Sequence, residues 1–143
     1  MDTILNAENL VYSYEDAPEP SLNGLTLSIP EGSRVALMGE NGSGKSTFFL
    51  CCNGIFKPQK GRLAFRGVPF SYDRRSFLEL RRQVGIVFQN PDVQLFSASV
   101  YEDISFGLLN LGLSETEAAE RVGRVMEELE ITAFRDRPVH ALS

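Results

Sequence analysis

The residues with the clearest chemistry lie between positions 39 and 47: Gly39-Glu40-Asn41-Gly42-Ser43-Gly44-Lys45-Ser46-Thr47. Gly39, Gly44, Lys45 and Ser46 satisfy G-x-x-x-x-G-K-[ST], the pattern of a phosphate-binding loop. Each residue type has a physical task. Gly39, Gly42 and Gly44 permit backbone angles closed to other residues, so successive N–H groups can turn toward one anion. The helix expected next adds free N–H groups and the positive end of its dipole. Lys45 brings a cation to the outer phosphates. Ser46 offers a hydroxyl oxygen to Mg²⁺, an ion that prefers oxygen ligands. The expected ligand is a nucleoside triphosphate with Mg²⁺.

The flanking elements must hold this loop in place. Val35 to Met38 is an unbroken apolar run, which predicts a strand buried on both faces of a parallel sheet. Thr47 to Cys52 reads as a helix that stops at Asn53-Gly54, with Pro58 beyond. Upstream, residues 3–14 read as extended, with Leu10, Tyr12 and Tyr14 alternating with Val11 and Ser13. The prolines and acids of residues 15–21 break that segment. Leu25, Leu27 and Ile29 then alternate with polar residues, as in a half-buried antiparallel strand. Pro30-Glu31-Gly32 reads as a type I turn with Pro second and Gly fourth.

Downstream, Gly61 and Gly67 bracket a short strand, and Asp73 is placed to cap a helix carrying Phe77 and Leu80. Val84 to Phe88 predicts a second buried strand, ended by Gln89-Asn90-Pro91-Asp92. Ser99 with Glu102, and Ser114 with Glu117, are capping boxes that start two helices. Gly107 costs the first of these about 1 kcal/mol relative to Ala, so it is expected to bend or end early. Ala118, Val122, Val125, Met126 and Leu129 form an apolar stripe on the second. Glu117–Arg121 and Glu120–Arg124 are spaced as i,i+4 ion pairs on its opposite face.

At 143 residues the chain has the length of about one domain. The net charge of −5 offers no basic footprint for nucleic acid. No apolar stretch approaches the ~20 residues of a membrane span, and the N-terminal residues lack the pattern of a signal peptide. A cytoplasmic location is expected. Adjacent Cys51 and Cys52 suit neither a disulfide nor a metal site and read as small buried helix residues.

The order of these pieces resembles the ATP-binding subunit of ABC transporters along the whole chain. The resemblance rests on Tyr14 about 25 residues before the loop, on the loop itself, and on Gln89 at the end of an apolar run. It continues through the acidic two-helix segment to Ala141-Leu142-Ser143, similar to the opening of a Leu-Ser-Gly-Gly-Gln signature. Phe88 to Phe96 (Phe-Gln-Asn-Pro-Asp-Val-Gln-Leu-Phe), with Val100 to Gly107, is similar to the energy-coupling-factor group, importers of cobalt, nickel or vitamins. The resemblance implies an α/β P-loop NTPase of ABC-ATPase type. Residues 1–34 would be an antiparallel β lead-in, 35–89 a portion of the P-loop core, and 90–143 the Q-loop and part of a helical subdomain.

It also implies roles. Tyr14 stacks on adenine, with Tyr12 as the rival. Gly39, Asn41 and Gly42 to Thr47 hold the phosphates of ATP, with Lys45 acting on the transferred group. Ser46 and Gln89 ligate Mg²⁺, and Gln89 alternatively orients the attacking water. Leu95 and Phe96 lie where a membrane partner docks. The implied partners are an integral membrane transport subunit and a second ATP-binding subunit, the same or related. The implied place is the inner face of the cell membrane.

The sequence departs from that family in two respects. No apolar run ends in the Asp-Glu pair that would hold the metal and polarise water. His140 precedes the signature and does not match the family's switch histidine. The expectation is therefore a portion of a longer chain that binds Mg-nucleotide weakly, does not hydrolyse it, has an incomplete core sheet and tends to associate. The alternatives are a soluble ABC-type ATPase without a membrane partner, and a non-hydrolysing regulatory module.

Overall fold

The computed structural model describes residues 2–90, 92 and 94–142. Pro91 and Val93, after Gln89, and Ser143, in the expected signature, lie outside the described residues. The chain forms two compact units, Met1–Ile86 and Val87–Ser143.

In the first unit, strands β1 (Thr3–Tyr12), β2 (Leu22–Pro30), β3 (Lys60–Phe65) and β4 (Val68–Pro69) form one antiparallel sheet in the order β2-β1-β3-β4. The periodicity of β1 is weak for a local reason. Leu5, Ala7 and Leu10 are all buried, and the register slips between Ala7 and Leu10. Asn9 sits in the slip at φ 50°, a bulge conformation that Asn tolerates better than most residues. β2 keeps the expected alternation, with Leu25, Leu27 and Ile29 packed toward the core.

Helix α1 (Lys45–Cys52) lays Phe48, Cys51 and Cys52 against Leu5, Ala7, Leu10, Leu22 and Leu63. Its end follows the expected signal. Gly54 takes φ 74°, its N–H donates to the Cys51 carbonyl, and the Ile55 N–H donates to that of Leu50. These are the two bonds of a Schellman cap. A Cβ at Gly54 would stand 2.7 Å from Phe77 Cε1, so the absent side chain also admits the ring of α2 (Arg74–Arg81). Asp73 caps α2 by accepting from the Arg75 and Ser76 N–H groups, as expected. Burial pushes the Cys51 thiol up to about 11 and the Cys52 thiol to about 12, so both stay protonated.

Two strand expectations fail. Val35 to Met38 and Val84 to Phe88 form no strand. Val35 is 52% exposed, Met38 89% and Val87 94%. An extended run becomes a strand only when another chain segment takes its N–H and C=O groups. Among the described residues no strand pairs with either run; Val84 instead donates its N–H to the Leu80 carbonyl and accepts from the Asn53 side-chain amide. The turn at Pro30 also differs. The Ser33 N–H donates to the Pro30 carbonyl at 3.3 Å, so the turn begins at Pro30. Gly32 is its third residue at φ 71°, the position a type II turn reserves for glycine.

The second unit is a helical hairpin of α3 (Val100–Asn110) and α4 (Glu115–Glu128) with two 3₁₀ turns, Thr132–Phe134 and Val139–Ala141. Val100, Val122, Met126 and Val139 form its core. Ser99 caps α3 through the Glu102 N–H, but Glu102 reaches back to the Ala98 N–H, so the expected box is displaced by one residue. The carbonyls of Arg137 and Arg135 accept from the Val100 and Tyr101 N–H groups, satisfying the open first turn. α3 runs through Gly107 to Asn110 and does not end early. The box at Ser114 and Glu117 is complete. Its closure draws Glu117 onto Ser114 at 2.7 Å, and Arg121 acts on the carboxylate only at a distance. The stripe on α4 is buried at Ala118, Val122 and Met126, but Val125 and Leu129 stay 41% and 62% exposed.

Candidate functional site

Residues 39–44 fold as a loop that wraps the ammonium of Lys45. The Lys45 Nζ donates to the Gly39 carbonyl at 2.8 Å, to that of Glu40 at 2.6 Å and to the Ser43 Oγ at 3.3 Å. A Cβ on Gly39 would stand 2.7 Å from the Ser43 Oγ, so a side chain there would displace the serine hydroxyl that accepts from Lys45. Gly44 is the N-cap of α1 at φ 86°, ψ 5°. A Cβ there would collide with the Ser21 carbonyl oxygen and lie 3.1 Å from Leu22 Cδ2. The last glycine thus seats the loop against the start of β2. Gly42 also takes a left-handed φ, 84°.

The start of α1 differs from that of the other three long helices. Asp73 caps α2, while α3 and α4 carry serine caps and acids in their first turns. α1 has no side-chain cap and no acid in its first turn. Its first intrahelical donor is the Phe48 N–H, which bonds the Gly44 carbonyl. The N–H groups of Lys45, Ser46 and Thr47 precede that bond and lack intrahelical partners. Free amides, an uncompensated helix dipole and a lysine at one spot fit a polyanion.

Mg²⁺ fits as a companion of that anion. Ser46 is exposed at the second position of α1. No group of three or more His, Cys, Asp or Glu capable of holding a metal exists among the described residues. A metal here would take Ser46 and otherwise phosphate and water oxygens.

Tyr14 is 42% exposed, and its Oη lies 3.1 Å from the Oγ1 of buried Thr47. Tyr12 packs inward on Phe56 with rings 4.7 Å apart and 8° from parallel. The structure therefore joins Tyr14 to the loop helix and commits Tyr12 to packing. Phe56 was not singled out by the sequence, because nothing local pairs it with Tyr12. Gln89 lies in the second unit as an exposed bend. Beyond it, Asn90 Oδ1 accepts from the Asp92 N–H at 3.1 Å. Phe96 is 65% exposed, edge-on to Phe106. His140 is exposed. A concavity of about 420 Å³ lies between β4 and α2, and none of residues 39–47 lines it. Phosphate loops hold their ligand on an open rim of amides, so its position elsewhere does not conflict with the loop.

The antiparallel lead-in, glycine loop and following helix define a P-loop domain of the ATP-binding-cassette type. The cbiO1 protein of Clostridium perfringens, part of the ABC transporter complex cbiONQ, superposes with a TM-score of 0.82 at 45% identity. The match covers all of this chain and 57% of that one. The ATP-binding cassette MJ0796, a dimer bound to ADP and Pi, superposes at 0.81 with 25% identity, covering 97% of this chain and 63% of that one. The family model described as ABC transporter matches residues 22–143, and the chain belongs to that family.

Among curated relatives, the energy-coupling factor transporter ATP-binding protein of Methanosphaera stadtmanae is 46% identical over 143 residues. The cobalt import ATP-binding protein of Rhodobacter capsulatus is also 46% identical over 143 residues. Each match covers 100% of this chain and 51% of the relative, so the chain spans about half the length of these proteins. No helix of the described residues is long and apolar enough to cross a membrane.

Proposed function

We propose that the chain is part of the ATP-binding, energising subunit of a membrane importer for a metal ion or a vitamin. The observation that carries nucleotide binding is the uncapped, acid-free start of α1 with Lys45 beside it. The importer class is supported by 46% identity along the whole chain to energy-coupling-factor and cobalt-import relatives.

In this reading Tyr14 stacks on the adenine. The amides of Asn41 and of Gly42 to Thr47, with Gly39 closing the loop, cradle the phosphates. Lys45 swings from the Gly39 and Glu40 carbonyls onto the outer phosphates, where its charge offsets that of the transferred group. The Ser46 hydroxyl ligates Mg²⁺, and Gln89 supplies an amide oxygen to the metal or to the attacking water. Bound Mg²⁺ neutralises phosphate charge. No Asp-Glu pair follows an apolar run in these 143 residues. The chain by itself therefore binds Mg-ATP and does not turn it over, while the whole protein hydrolyses it. Residues 1–34, 35–89 and 90–143 serve as lead-in, core portion, and Q-loop with helical subdomain. The partners are an integral membrane subunit, met near residues 90–98, and a second ATP-binding subunit. The complex sits on the cytoplasmic face of the membrane.

Titration of Mg-ATP against the wild-type chain and Lys45→Ala tests the site. Loss of charge-assisted hydrogen bonds weakens binding roughly 10- to 150-fold. Equal affinities would overturn the phosphate-loop assignment. Co-purification of an integral membrane protein with the tagged chain tests the importer reading, and a purely soluble partner set counts against it.

A further inference from the structure

We propose that Tyr14 is preset as a base-stacking platform by a three-part mount: the Thr47 hydroxyl, the stacked Tyr12–Phe56 pair and the Gln59 amide. The inference rests on the nucleotide reading above and assigns residues that hold its base subsite in place. Thr47, Phe56 and Gln59 act through Tyr14 as positioning residues.

The first part fixes the phenol. Thr47 is 4% exposed and its Oγ1 lies 3.1 Å from the Tyr14 Oη. A buried hydroxyl holds its partner, because losing it would leave an unsatisfied polar atom. Thr47 belongs to the first turn of α1, the turn that presents free amides to phosphate. Its side chain is thus engaged with the platform, and its backbone N–H is the group left for the anion. One residue ties the base subsite to the phosphate subsite.

The second part fixes the ring. Tyr14 stands nearly perpendicular to both members of the Tyr12–Phe56 stack, at 87° and 86°, with centroids 5.2 and 5.6 Å away. These are favourable aromatic geometries. The third part fixes the backbone. The Gln59 side-chain amide accepts from the Ser13 N–H at 3.0 Å and donates to the Ser13 carbonyl at 2.9 Å. The Gln59 N–H donates to the Val11 carbonyl at 2.9 Å. Gln59 thus adds a rung to the β1–β3 ladder beyond the last strand residue, immediately before Tyr14. The Ala17 N–H closes onto the Tyr14 carbonyl at 3.2 Å from the other side. A ring held at its phenol, by its aromatic neighbours and at its backbone, yet 42% exposed, loses little freedom when a base stacks on it.

The test compares two probes, Mg-ATP and inorganic tripolyphosphate, by titration against the wild-type chain, Tyr14→Phe, Phe56→Leu and Gln59→Leu. Tyr14→Phe keeps the ring and removes only the phenol oxygen, the part-buried partner of the Thr47 hydroxyl; it opens no large cavity, so it remains informative should the other variants fail to fold. The mount predicts a loss of ATP affinity of roughly 2- to 10-fold, the size of one neutral hydrogen bond, with tripolyphosphate unchanged. Combining Tyr14→Phe with Thr47→Val gives the loss of one single variant and not the sum. Unchanged ATP affinity in Tyr14→Phe overturns the mount. So does an equal loss of both probes, which marks a general disturbance of the fold. A wild-type chain that binds neither probe overturns the nucleotide reading, and the mount with it.

Discussion

The lead-in sheet and the two apolar runs make an instructive pair. By sequence, Val35–Met38 and Val84–Phe88 are the most uniformly apolar extended segments, whereas β1 mixes Asn6, Glu8 and Asn9 into its pattern. The structure reverses their fates. Ala7 and Leu10 of β1 are 0% exposed, while Met38 and Val87 are among the most open side chains. The difference is neighbours. β1 has β2 on one edge, β3 on the other and α1 across its apolar face. Neither run has a strand beside it among the described residues. Apolar content sets what a segment demands, and the availability of partners decides whether the demand is met.

That contrast can be broken by mutation. Leu10→Ala, in the closed core, should destabilise the first unit by about 2–5 kcal/mol in urea unfolding. Met126→Ala should do the same in the helical hairpin, where the residue is 2% exposed. Ser114→Ala, which removes a complete capping box, should cost about 0.5–2 kcal/mol. Met38→Ala should stay within about 0.5 kcal/mol. If it costs as much as Leu10→Ala, the run is buried in solution and the comparison fails. Exposed apolar side chains also promote association. Light scattering on Met38→Lys with Val87→Lys should show weaker concentration dependence than wild type.

A subtler effect concerns acid. The hydrogen bond from the Ser71 hydroxyl, followed by those from Ser76, holds the Asp73 carboxyl well below its ordinary value of 3.8. A carboxyl lowered by folding contributes stability above its unfolded pKa and loses it as pH falls through the folded one. The urea midpoint of the first unit should therefore decline as pH drops below 3.8. Asp73→Asn should flatten that decline, and an unchanged slope would remove the cap from the account.

What was legible follows the same division. Caps at Asp73, Ser99 and Ser114, the stop at Asn53-Gly54 and the loop glycines depend on residues a few positions apart, and sequence spacing carries them. The bulge at Asn9 left its trace as blurred alternation. The pairing of Tyr12 with Phe56 and the reach of Gln59 to Ser13 span more than 40 residues, and no local pattern encodes them. The runs at 35–38 and 84–88 have the apolar content of strands, but content alone does not supply a pairing segment, in keeping with the expected incomplete core sheet. Tyr14 is singled out by the family resemblance alone, and its tie to Thr47, 33 residues away, has no local signal.

The hydrogen bonds of Lys45 have a thermodynamic consequence. An ammonium has three protons to donate, and three acceptors in the loop, at Gly39, Glu40 and Ser43, already receive them. A phosphate that recruits this lysine exchanges one set of acceptors for another. The net gain is then the difference between a charged acceptor and neutral ones, and the released carbonyls must find water. Calorimetry on Lys45→Ala would consequently report a change in enthalpy smaller than a count of new contacts suggests. The loop stores its cation in a satisfied state, and occupancy is a transfer between two satisfied states.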